Sequence, residues 1–266
     1  MARWASFIDS KRAGNPVLLL DTGDFCREKK SATDDLEYPY FFEGMKLMRY
    51  DAAGVAVNEI RFGRTQLMKA AADYGLPLVS TNIIDRRGEG TAGAKWIIKE
   101  IGGRKTVFGR RGALRVGIFS VVLPGFIHAI DPLIPKYYTV PDPKSAALEA
   151  VAELRAQGCG LIVALSFQGW DNSLEFARST PGVDIVINGK RSHEGTHGEW
   201  ADSTFVVDTG VGRVSFTEIE IAFREGGRSI RAADVGGAVR AAKERADLAD
   251  LEKRYQKELE DRKKGL

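Results

Sequence analysis

Pro16-Val-Leu-Leu-Leu-Asp-Thr-Gly-Asp24 is the stretch on which the fold turns. An unbroken apolar run followed by two acids reads as a buried strand whose carboxyl end carries Asp21 and Asp24. In layered α/β folds, that end of the strands is where ligands are held. The Asp-Thr-Gly-Asp run also reads as a turn whose side chains bond the backbone. The order of the neighbouring segments has to separate the two.

Before this strand, Trp4, Ala5 and Ile8 recur at helical spacing. Ser6, Asp9 and Lys11 break up the apolar stretch of about 7–15 residues that a secretory signal needs, so the segment reads as a helix. After the strand, the spacing predicts helices over 38–51 and 64–74, a strand over 76–82, and a hairpin made of 95–99 and 105–109. Leu114–Val122 is a further strand, and the proline-rich stretch 123–143 reads as an irregular excursion. A helix over 145–157 starts after Pro143 and stops before Gly158. Strands at 160–166 and 183–187 flank a helix near 174–178, and strands at 204–207 and 214–223 close the body. This alternation is that of an α/β protein with packed sheets and helices outside. From Gly236 to Leu266 the chain is dense in charge, with Leu248, Leu251, Tyr255 and Leu259 in a stripe, and reads as one amphipathic helix. It either docks on the body or pairs with a partner helix.

The 266 residues are 44% hydrophobic and 28% charged, enough apolar material for a full core and too much for intrinsic disorder. No apolar run approaches the roughly 20 residues of a membrane span. Thirty-nine Lys and Arg are scattered among 36 Asp and Glu, for a net charge of +3, so no nucleic-acid stripe is expected. Only three histidines and two cysteines are present, which puts metal chemistry at a disadvantage. Cys26 and Cys159 show no spacing motif.

The successive strand ends are Asp21-Thr-Gly-Asp24, Asp51-Ala-Ala-Gly-Val-Ala-Val-Asn-Glu-Ile-Arg-Phe-Gly63, Leu165-Ser-Phe-Gln-Gly169 and Val183-Asp-Ile-Val-Ile-Asn-Gly-Lys-Arg-Ser-His193. In that order they resemble the 5'-nucleotidase branch of the calcineurin-like metallophosphoesterases, over residues 2 to about 223. The resemblance implies a four-layer αββα sandwich over 1–235, followed by the charged C-terminal helix of 236–266. It also implies hydrolysis of phosphoric esters such as nucleotides. Family members carry D-x-H, G-D, G-N-H-E, S-H-x-G and G-H-x-H at these ends, around two divalent metals (Mn, Zn or Mg) about 3–4 Å apart.

Carried over residue by residue, Asp24 takes the place of the bridging aspartate. Val57 falls on the asparagine ligand, Asn58 on the leaving-group histidine, and Glu59 is retained. Phe167 replaces the histidine of S-H-x-G. Lys190 and Ser192 fall on the G-H-x-H pair or, with one residue inserted, Arg191 and His193 do. Val57 and Phe167 have no donor atom for a metal, so the resemblance implies a largely dismantled site. Asp24 and His193 are its remaining metal candidates, and Asn58 and Glu59 stand in the leaving-group motif. Lys190 and Arg191 bring positive charge that suits a phosphate or nucleotide without metal.

His193 and His197 read either as a metal pair or as surface loop residues, His128 as a packing residue, and Cys26 as a reactive thiol or a small buried side chain. The D-x-H strand would precede Arg3, and Met1-Ala-Arg3 resembles the end of a G-G-x-A-R stretch that follows it in relatives. The expectation is an N-terminally incomplete chain, whose start arises where a stop codon in a Cys-rich or selenocysteine-containing segment is misread. An upstream DNA sequence without an in-frame extension would contradict this. The family resemblance also implies an extracytoplasmic setting.

Overall fold

The computed structural model describes residues 1–25, 34–61, 64–87, 90–106, 109–128, 134–190, 192–209, 216–224 and 227–265. The opening strand is shorter than its apolar run. β1 (Leu20–Asp21) pairs in parallel with β2 (Ala52–Gly54), and β2 with β3 (Leu78–Val79). A second sheet runs in the order β13-β14-β12-β11-β9-β6, made of β6 (Ile97–Ile101), β9 (Leu114–Val122), β11 (Leu161–Phe167), β12 (Ile185–Asn188), β13 (His197–Ala201) and β14 (Thr204–Asp208). Its four central strands are parallel, and β6 and β13 flank them antiparallel. Three short strands, β4 (Ile84–Asp85), β5 (Gly90–Thr91) and β10 (Tyr138–Thr139), make a small antiparallel sheet.

Alternation along each strand sets the layers, because successive side chains point to opposite faces. Leu161, Val163 and Leu165 of β11 share one core with Ala52, Val79, Val116 and Ile118, which fills the space between the two sheets. Ile162 and Ala164 face the other way. They pack with Ala147, Ala150 and Leu154 of α7 (Pro143–Ala156) and with Phe176 and Ala177 of α8 (Trp170–Ser179). On the far side of the small parallel sheet, Ala53 and Leu78 meet Phe42 and Met45 of α2 (Asp34–Met48) and Leu67 and Ala71 of α4 (Arg64–Tyr74). The result is helix, sheet, sheet, helix: the αββα order expected. Short helices α3 (Val57–Arg61), α5 (Pro124–His128) and α6 (Ile134–Tyr137) lie at the loops, the last two within the stretch read as irregular.

Three expectations need correction. The hairpin at 95–109 does not form as read. Ile97–Ile101 pairs with β9, and β7 (Arg104–Thr106) pairs instead with β8 (Gly109–Arg111). Ile97 and Ile101 face the inter-sheet core, and that burial outweighs a local pairing. Secondly, His197 begins a strand rather than lying in a loop. A Cβ on Gly198 would come within 2.6 Å of the Phe205 ring, so glycine here lets Phe205 of β14 lie across its neighbour. Finally, the charged segment is two helices, α9 (Gly236–Ala241) and α10 (Ala246–Lys263), separated by extended backbone at Ala242 and Arg245.

The stripe of α10 is docked. Leu248 and Leu251 are buried with Ala2, Ala5 and Ile8 of α1 (Ala2–Gly14), Leu19 and Met48. Arg245 fastens the junction, donating to Asp9, Asp247 and the carbonyl of Leu47. The strand expected at 214–223 is β15 (Thr217–Arg224), which forms a hairpin with β16 (Gly227–Asp234), and its Ile219 and Ile221 pack on the inter-sheet core. Among the described residues, no helix is long and apolar enough to cross a membrane.

Candidate functional site

The carboxyl ends of β1, β2, β11, β12 and β14 gather the polar residues that the sequence singled out. At β1, Asp21 accepts the N–H of Gly23 at 2.8 Å and closes a turn. The same carboxylate, after burial, helps to raise the pKa of the Tyr50 phenol. Asp24 follows with φ 63°, a left-handed conformation that aspartate tolerates better than most residues. Its Oδ1 accepts the N–H of Asn58 at 3.2 Å, in the first turn of α3. In return, the fully buried Glu59 accepts the N–H of Asp24 and the N–H of Ala56, each at 2.9 Å, through one oxygen.

Glu59 stands at the third helical position and reaches back to the residue before the helix, half of a capping box. Helix starts leave their first N–H groups without intrahelical partners. Both carboxylates answer that need, so Asp24 and Glu59 join the β1 and β2 loops in a reciprocal clasp. Asn58 enters it through its backbone.

β12 approaches the same place closely. A Cβ on Gly189 would overlap the Thr22 side chain, so only glycine lets the two strand ends touch. The next residue, Lys190, places its ammonium 5.4 Å from the centre of the Phe126 ring and 5.7 Å from that of Phe167, a cation–π seat on two aromatic faces. Phe167 and Val57, which the resemblance sets at ligand positions, are both buried in the apolar core under α2 and α4. Among the described residues, no group of three or more His, Cys, Asp or Glu is arranged to hold a metal ion.

A second polar constellation lies toward α8. The strand register places Ser166, Asn188 and Asp208 side by side across β11, β12 and β14. All three are fully buried. Asp208 accepts the N–H of Ser192 at 2.9 Å and the amide of Asn188 at 3.3 Å, and it pairs with Nδ1 of His193 at 3.1 Å. His193 stacks on His197 with ring centres 4.6 Å apart, and Trp170, the first residue of α8, meets both rings edge-on at 4.8 and 4.9 Å. His193 is therefore held by a carboxylate rather than lying loose on a surface loop. Arg191, Cys26 and the side chain of His128 fall outside the described residues.

Asp208 and Trp170 escaped the sequence reading. A usable signal exists for the first: Thr204-Phe-Val-Val-Asp208 is again an apolar run that ends in an acid, the same pattern as the opening strand. Trp170 offers none, because its meeting with two imidazoles depends on the fold.

The layer order is consistent with the calcineurin-like metallophosphoesterase fold. This chain has nucleotide phosphoesterases as its curated relatives and a 5'-nucleotidase precursor among its solved neighbours. It is 25% identical over 215 residues to the trifunctional nucleotide phosphoesterase protein YfkN of Bacillus subtilis (strain 168), covering 71% of this chain and 14% of that protein. To a 2',3'-cyclic-nucleotide 2'-phosphodiesterase/3'-nucleotidase of Yersinia enterocolitica it is 24% identical over 208 residues, covering 71% of this chain and 31% of the relative. The chain thus spans less than a third of either protein. Among solved structures, the sulfate thiohydrolase SoxB of Thermus thermophilus superimposes with a TM-score of 0.80 at 16% identity, over 98% of this chain and 47% of that one. A 5'-nucleotidase precursor, also from Thermus thermophilus, does so at 0.75 and 20%, over 97% and 53%. These likenesses establish the fold. No family model matches the chain.

Proposed function

We propose that this chain binds a phosphate ester, a nucleotide above all, at the carboxyl ends of its strands, and that two-metal hydrolysis is not its chemistry. The two curated relatives are named for action on nucleotides, which supports descent from phosphoester hydrolases. The observation that carries the reading is the seating of Lys190. A cation stands on Phe126 and Phe167 at the end of β12, while Asp24 and Glu59 are engaged with backbone N–H groups. In this reading Lys190 and Arg191 supply the charge that a bound metal would otherwise bring to a phosphate. Asn58 and Glu59 keep the leaving-group loop in shape without acting on the substrate.

Isothermal titration with AMP, in EDTA and in Mn²⁺, together with an assay of phosphate release, tests the reading. Binding that ignores Mn²⁺ supports it. Release of phosphate that requires Mn²⁺ restores the two-metal enzyme, and the absence of any binding defeats both. Self-association through 236–266 has less support, because Leu248 and Leu251 are buried against the chain's own α1 and α2. An increase in solution mass that disappears with a Tyr255→Glu change would revive it.

A further inference from the structure

Lys190 is exposed, but its main chain is held from inside the protein. A line of buried side chains leads to it. Gln168 donates to Ser166 at 3.0 Å, Ser166 and Ser173 share a hydrogen bond of 2.9 Å, and Ser173 donates to Oδ1 of Asn188 at 3.3 Å. The Asn188 amide then donates to the carbonyl of Lys190 at 2.8 Å, and its other hydrogen goes to Asp208 at 3.3 Å. A backbone carbonyl only accepts, so the amide nitrogen of Asn188 has to face Lys190. Ser173 spends its one proton on Asn188, and Ser166 therefore donates the bond that the two serines share. Every bond in the line points the same way, from Gln168 to the Lys190 carbonyl. Gln168, Ser166, Ser173 and Asn188 are each at most 2% exposed. Burying four polar side chains is costly unless each is satisfied, and a satisfied line of hydrogen bonds fixes its members in one geometry.

Both ends of Lys190 lead back to β11. The carbonyl of Ser166 accepts the N–H of Gly189 at 2.8 Å, which holds the backbone just before the lysine. Phe167, the next residue of β11, points to the opposite face and offers its ring to the ammonium, beside Phe126. A lysine stem is flexible, and ordering it on binding takes away from affinity. Here one face of β11 fixes the backbone and the other seats the charge, so the ordering is done before an anion arrives. We propose that Ser173 and Asn188 are positioning residues for anion binding: through the Lys190 carbonyl they set its ammonium on the two rings, where it meets the phosphate of a nucleotide. The ligand class rests on the reading given under Proposed function.

The test joins AMP titration in EDTA with nuclear magnetic resonance of the Lys190 ε-methylene group, on the full chain. In the unaltered protein the rings of Phe126 and Phe167 should shift those signals upfield, with or without AMP. Ser173→Ala breaks the line in its middle. It should return the signals toward those of a free lysine and weaken AMP binding by about threefold, the worth of one net hydrogen bond. In a Lys190→Ala background the same change should cost nothing further, a non-additivity that a merely structural serine would not show. Should Ser173→Ala fail to fold, Ser192→Ala removes an exposed hydroxyl that donates to the same carbonyl at 3.2 Å, and it should move the lysine signals the same way by less. Lysine signals that stay put in the variant that folds, or losses that add in the double variant, overturn the proposal. An unaltered chain that binds no AMP, yet whose shifted lysine signals collapse in Ser173→Ala, ends the phosphate reading and keeps the positioning.

Discussion

Two strand-end junctions in this molecule use carboxylates in opposite ways. Where β1 meets β2, Asp24 and Glu59 accept backbone N–H groups and shape a loop. Where β12 meets β14, Asp208 also accepts a backbone N–H, yet it additionally orients a side chain that reaches solvent. Among the described residues, the carboxylates of the first junction hold backbone N–H groups, whereas that of the second also holds a side chain that reaches solvent. An acid at the end of a buried strand therefore carries little functional meaning alone. What its oxygens hold decides whether it caps or positions.

The largest expected effect comes from removing the first clasp. Glu59→Ala strands two N–H groups that now bond a buried carboxylate, and about 3–5 kcal/mol of stability should be lost in urea unfolding. Glu59→Gln keeps an acceptor oxygen and should cost roughly half of that. If the alanine variant is as stable as the parent, the first junction is not structural and the contrast fails.

Asp208→Asn is expected next, at about 2–3 kcal/mol, since a neutral amide replaces an acceptor of three hydrogen bonds. Nuclear magnetic resonance of the His193 ring should show its tautomer fixed in the parent and released in the variant. Gly189→Ala, which forces a Cβ into Thr22 where the junctions touch, should cost about 1–3 kcal/mol. Adding Thr22→Gly should return part of this loss, a coupling that a double-mutant cycle reads directly.

Lys190→Ala should leave the melting temperature nearly unchanged while weakening AMP binding by about tenfold, the scale of one charge-assisted contact. Smallest is the response to acid. The Asp247 carboxyl is held below its ordinary value by hydrogen bonding to Arg245. For Asp9, burial pulls upward but is outweighed by Arg245 and Arg49. Hydrogen bonding to Arg87 holds Asp85 low as well. A depressed carboxyl adds stability above its unfolded value of about 3.9, and that stability is lost as pH falls through the folded value. Loosening of α10 from α1 is therefore expected below about pH 4, seen as faster hydrogen exchange in residues 246–263.

Much of this is legible in the sequence because burial writes a pattern. The apolar runs at Leu161–Phe167 and Ile185–Asn188 are parallel strands covered on both faces, and the stripe through Leu248 and Leu251 marks a docked helical face. The hairpin expected at 95–109 fails because pairing of Ile97–Ile101 with β9 depends on residues that follow it in the chain. β13 leaves no trace because its exposed residues show no alternation, and its glycine answers to Phe205 seven positions away. Asp24 can be identified as a ligand or a cap from its motif, but only the fold shows Asn58 donating to it. In the same way, nothing in the order of residues reveals that Asp208, Asn188 and Ser166 share a row.

A phosphate site that works without a metal pair must hold its ligand alike with and without metal, and one titration measures this directly. AMP is titrated into the full chain, once in EDTA and once in saturating Mn²⁺. Equal dissociation constants in the two buffers are the predicted result. Binding that appears only with Mn²⁺ would contradict the account and return the strand ends to two-metal chemistry.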